Sequence, residues 1–126
     1  MPAYETTSFE PPAPVAQVTI RSPKTGDSVA NVRMLIDTGA DVTLVPRPPI
    51  VSLLDATEER QQYELVGFDG ARSSADAVRL ELHFLSRVFR GQFLLIDQDH
   101  GILGRNVLNA IPLLLDGPKL NWEEYR

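Results

Sequence analysis

Val78, Leu80, Leu82 and Phe84 alternate with Arg79, Glu81 and His83, a period of two that a strand with one buried face satisfies and a helix does not. After Ser86-Arg87 a further apolar strand is expected over residues 88–96. The two imply a half-buried antiparallel sheet with His83 towards solvent. At 126 residues and 43% hydrophobic content, the chain suits a single domain with a real core.

The same signals recur elsewhere. Val15, Val18 and Ile20 sit among polar neighbours, and Lys24-Thr25-Gly26-Asp27 supplies a turn that folds this stretch back onto residues 29–36. Pro46-Arg47-Pro48-Pro49 stops the next apolar segment, and residues 52–62 read as a loop with one helical turn. Tyr63-Glu64-Leu65-Val66, the turn Gly67-Phe68-Asp69-Gly70 and a polar strand over residues 71–76 form a hairpin with an exposed tip. Val107, Leu108 and Ile111 at helical spacing predict one short helix over residues 105–111. Leu113-Leu114-Leu115 and Lys119-Leu120-Asn121-Trp122 flank the turn Asp116-Gly117-Pro118 and read as two strands. Residues 1–14 carry four prolines and read as an extended arm, with the folded domain at residues 15–126.

The chemistry centres on Asp37-Thr38-Gly39-Ala40-Asp41, which follows Met34-Leu35-Ile36 and precedes the apolar run of residues 42–45. A carboxylate at the end of a buried strand is costly unless something needs it. Thr and Gly supply a hydroxyl and an unhindered backbone, so the Asp can be held by hydrogen bonds in a tight turn. Such an Asp suits water activation, but one carboxylate cannot act as acid and base in the same step. The chain has no second Asp-Thr-Gly or Asp-Ser-Gly, so the partner must come from another copy. Ile102-Leu103-Gly104 repeats the logic of Leu35 to Gly39 in abbreviated form.

Other functions are disfavoured. A net charge of −5 with twelve scattered basic residues argues against nucleic acid as the main partner. No apolar run approaches the roughly 20 residues of a membrane helix, and the N-terminus lacks the features of a secretory signal. A soluble, cytoplasmic protein is expected. The absence of cysteine removes a disulfide framework, a thiolate zinc site and a cysteine nucleophile. Asp97-Gln98-Asp99-His100 lacks the spacing of a metal site and reads as a polar loop, so neither metal nor cofactor is expected.

Leu35-Ile36-Asp37-Thr38-Gly39-Ala40-Asp41, then Gly67-Phe68-Asp69-Gly70, then Ile102-Leu103-Gly104-Arg105-Asn106-Val107-Leu108 occur in an order that resembles the retropepsins, the retroviral-type aspartic proteases, and especially their non-viral single-domain relatives. The likeness spans residues 15–122. It implies an all-β half-barrel with one short C-terminal helix, active as a homodimer whose two Asp37 side chains face each other. Asp37 is then the catalytic carboxylate, Thr38 the hydroxyl bracing the two loops, and Gly39 a backbone contact to substrate. Gly39, Ala40, Asp41, Val42, Ile102 and the flap residues Gly67, Phe68, Asp69 and Gly70 would meet the peptide. Arg105 and Asn106 are structural, with Arg105 paired to Asp41, and the C-terminal strand interleaves between subunits.

The sequence departs from viral members in its glycine-poor flap with Asp69 at the tip, in Val42 where many have an acid, and in the tail at residues 123–126. What the resemblance implies is an endopeptidase for extended apolar peptide segments. Two other readings stay open: a non-catalytic homodimeric peptide-binding module of the same fold, and a hydrolase using the carboxylates for a divalent metal. Removal of the arm, residues 1–14, is expected to change activity more than stability.

Overall fold

A computed structural model describes residues 1–55, 60–67 and 69–126. The strands are β1 (Val15–Arg21), β2 (Ser28–Ile36), β3 (Leu44–Pro46), β4 (Gln62–Val66), β5 (Arg72–Phe84), β6 (Arg87–Ile96), β7 (Gly101–Leu103), β8 (Leu113–Asp116) and β9 (Asn121–Glu124), with one α-helix, α1 (Arg105–Leu108). A 3-10 turn over Pro48–Leu53 follows β3. It begins on prolines whose fixed φ and missing N–H suit a helical first turn but end the strand.

Seven strands form one sheet in the order β1-β2-β7-β3-β6-β5-β4, and an additional β1–β5 pairing closes six of them into a barrel. The expected antiparallel hairpins are present in β1–β2, β4–β5 and β5–β6. Two pairings are parallel instead: β2 with β7 and β3 with β6. The first sets Leu35 and Ile36 beside Ile102 and Leu103, so the two similar apolar stretches lie side by side.

Residues 71–76 and 78–84, read as separate strands, form the single 13-residue strand β5. Its buried side chains shift phase, from Ala75 and Ala77 to Leu80, Leu82 and Phe84. The first part pairs with β4 and the second with β6 and β1. The core gathers Val18 and Ile20 of β1, Val32 and Met34 of β2, Leu80 and Leu82 of β5, Leu103 and Val107. Each such side chain contributes about 1.5–3 kcal/mol when fully buried.

Glu81 departs from the simple alternation. It is buried and bonded to Arg21 at 3.1 Å, Arg90 at 3.2 Å and His83 at 3.4 Å. Burial pushes its carboxyl up, but the Arg21, His83 and Arg90 contacts outweigh this and hold it below its ordinary value.

The helix ends sooner than its apolar spacing predicts. The N–H groups of Ala110 and Ile111 donate to Val107 and Leu108 carbonyls, three residues back, which tightens the chain out of the α-helix. Pro112 disfavours helical backbone at Ile111, yet Val107, Leu108 and Ile111 are all buried.

Residues 1–14 lie along the body. The Trp122 N–H donates to the Pro2 carbonyl at 3.0 Å and the Tyr4 N–H to the Leu120 carbonyl at 2.7 Å, with Ala3 opposite Asn121. The arm thus continues the edge of the two-stranded β8–β9 sheet. Tyr4 packs against the core, Glu5 pairs with Arg33, and Phe9 meets His100 edge to face at 4.9 Å. The tail residues Glu123 and Glu124 belong to β9. No helix among the described residues is long and apolar enough to cross a membrane.

Candidate active site

Asp37 emerges where β2 ends beside β7. Its backbone N–H donates to the Leu103 carbonyl at 3.1 Å, so the last link of the parallel pair fixes where the turn begins. The Asp37 Oδ1 then accepts the Gly39 N–H at 2.9 Å, and the Ala40 N–H donates to the Asp37 carbonyl at 3.3 Å. A Cβ at Gly39 would come within 3.1 Å of that same Oδ1, so glycine leaves the carboxylate room to settle. Asp37 is half-buried, whereas Thr38 and Gly39 are exposed. One carboxylate oxygen is held while the side chain still reaches solvent.

Arg105 secures the loop from the other side. Its N–H donates to the Ala40 carbonyl at 2.9 Å and its Nη1 to the Thr38 carbonyl at 2.8 Å. The ion pair expected with Asp41 does not form among the described residues. Asp41 is exposed, and the guanidinium gains a directed charge-assisted bond to a carbonyl of the turn itself.

Asn106 acts through a residue the sequence reading passed over. Thr43, 1% exposed, accepts the Gly104 N–H at 3.0 Å and donates to Asn106 Oδ1 at 2.7 Å. A lone hydroxyl inside the apolar run of residues 42–45 was the available signal, because such a group is buried only with partners. At Gly104 a Cβ would fall 2.3 Å from the Val42 carbonyl oxygen, so only glycine permits this approach of the two segments.

Ala40, Val42 and Ile102 are half-buried around this centre, and Ile102 lies between Leu35 and Leu44 in the sheet. The hairpin tip stands apart, with no hydrogen bond to the Asp37 loop among the described residues. Its Gly67 N–H donates to the Ala71 carbonyl at 2.9 Å, the Ala71 N–H donates to Asp69 Oδ1 at 2.9 Å, and Gly70 has φ +79°. Asp69 therefore caps its own turn. Phe68 lies outside the described residues.

Among the described residues no three His, Cys, Asp or Glu side chains group as a metal site. A groove of about 860 Å³ is lined by residues including Lys24, Leu53, Leu54, Val78 and Leu80, but no residue of the Asp37 loop contributes to its wall.

No protein-family model matches the chain, and no curated protein matches its sequence. Among solved structures the chain is similar to an EIAV protease complexed with the inhibitor HBY-793, at 19% identity and a TM-score of 0.55, over 84% of this chain and 91% of that one. The all-β barrel with its short helix is thus the retropepsin-like fold seen in a retroviral protease.

Proposed function

We propose that the chain is half of an aspartic endopeptidase, completed when two copies bring their Asp37 carboxylates together. The observation that carries this reading is the posture of Asp37: at the end of β2, hydrogen-bonded through one oxygen to Gly39, and half-exposed within the retropepsin-like fold. Two carboxyl groups about 3 Å apart cannot both ionise cheaply, so the pair keeps one proton over a wide pH range.

The ionised member takes a proton from a bound water while the protonated member polarises the peptide carbonyl. A tetrahedral intermediate forms without an acyl-enzyme, and no metal or cofactor takes part. Because titration belongs to the pair, activity follows a bell in pH. The exposed Thr38 hydroxyl is free to brace the partner's loop. Ala40, Val42 and Ile102 would line apolar subsites, and the hairpin bearing Gly67, Phe68, Asp69 and Gly70 would cover an extended peptide through backbone hydrogen bonds.

Replacing Asp37 by Asn tests the reading. Hydrolysis of apolar peptides should fall by roughly 10²–10⁴-fold, with the dimer retained in sedimentation. Activity surviving the change in a folded dimer would sink the proposal.

A further inference from the structure

Arg47, just past β3, joins three elements through one guanidinium. Its Nε donates to Asp97 Oδ1 at 2.6 Å, beyond the end of β6, and its Nη2 donates to Asp76 Oδ2 at 3.1 Å in β5. The other Asp76 oxygen accepts Gln62 Nε2 at 3.0 Å, and Gln62 stands opposite Asp76 at the root of the β4–β5 hairpin. The Arg47 and Asp76 side chains are only 29% and 21% exposed, so solvent screens their attraction less than that of a surface pair.

The position of this anchor follows from the sheet. Leu44 of β3 lies opposite Ile102, and Ile102 lies opposite Leu35, two residues before Asp37. A continuous run of paired backbone therefore connects the Asp37 turn to Arg47. Beyond its root, the hairpin has β4 as an outer strand of the sheet. From Gln62 to Val66 the free arm is roughly 13 Å long at about 3.3 Å per residue, so a small tilt at the root is magnified at the tip.

We propose that Arg47 is a positioning residue for the protease reaction, fixing through Asp76 and Gln62 the height at which the β4–β5 hairpin covers the peptide. This rests on the protease reading given above. A planar fork that grips carboxylates from two elements sets an angle between them, which the single ammonium of lysine does not. The role concerns substrate capture, so its loss weakens binding more than chemistry.

Steady-state kinetics on an apolar peptide, with Arg47→Met, Arg47→Lys, Asp76→Asn and the Arg47→Met/Asp76→Asn double variant, test it. Arg47→Met should raise KM roughly tenfold with kcat within about twofold, and Arg47→Lys should recover part of the loss. Asp76→Asn should raise KM similarly, and the double variant should add little further. An unchanged KM in folded Arg47→Met, a loss confined to kcat, or full additivity would overturn the proposal. If Arg47→Met fails to fold, the isosteric Asp76→Asn carries the same reading. Should the unaltered dimer hydrolyse no peptide, the protease reading fails on its own. The anchor is then judged by amide exchange, which either variant should speed roughly tenfold in Gln62–Val66; unchanged exchange would overturn it.

Discussion

The hydroxyl of Thr43 donates to Asn106 Oδ1 at 2.7 Å while accepting the Gly104 N–H, and this one buried group ties the loop leading into β3 to the start of α1. Thr43→Val keeps the shape and removes both bonds, stranding a buried N–H. A loss of about 1–3 kcal/mol is expected, read as a lower urea midpoint at unchanged slope. A midpoint unmoved by Thr43→Val would show that the two segments are held by packing alone.

Glycine is required at Gly104 by space. Gly104→Ala places a methyl 2.3 Å from the Val42 carbonyl oxygen, against backbone that cannot yield cheaply, so a destabilisation of about 3 kcal/mol or more is expected. Gly117→Ala meets nothing within 4 Å and should stay within about 0.5 kcal/mol of the parent. Thermal melts of the two variants give the comparison.

The N-terminal arm contributes to the folded state directly. Its strand-like bonds from Pro2 and Tyr4 to the β9 region, the packing of Tyr4 and the Glu5–Arg33 pair would all be lost on deleting residues 1–14. Truncation should therefore lower the melting temperature measurably, in addition to any effect on activity. An unchanged melting curve would show the docking to be energetically idle.

Acid should weaken the fold through Glu81 and Asp76. For Asp76 the Gln62 and Arg47 hydrogen bonds hold the carboxyl below its ordinary 3.8. For Glu81, burial works upward, but the Arg21, His83 and Arg90 contacts bring it below 4.5. Both groups bind protons more weakly folded than unfolded. Their stabilisation is thus complete above those ordinary values and is lost as pH falls through the lower folded values. Melting temperature should drop steadily below about pH 4.5, and Glu81→Gln should flatten that dependence; a parent curve flat down to pH 3 would refute the linkage.

Much of the fold was legible because a strand with one buried face writes its period into the residues. Val78 to Phe84 announced β5, and Val15 to Ile36 announced the first hairpin. The loop bearing Asp37 was legible for a different reason: a carboxylate, a hydroxyl and a glycine after a buried strand make a turn with few alternatives. The hairpin over β4 and β5 was legible from its period and turn residues, whereas its relation to the Asp37 loop is set by elements far away in the chain.

The chain's own residues thus determined where strands run, where Pro and Gly interrupt them, and which acid stands at the end of β2. Which strands become neighbours was decided by closure of the barrel, because edge backbone groups find partners irrespective of sequence separation. That closure laid β7 parallel to β2 and set Arg105 on the Thr38 carbonyl in place of Asp41. It also put Arg47 within reach of Asp76, while the arm found its partners on β9 of the separate two-stranded sheet. Local pattern specifies which face of a strand is buried, but the distance between two charged side chains depends on how the whole sheet is rolled.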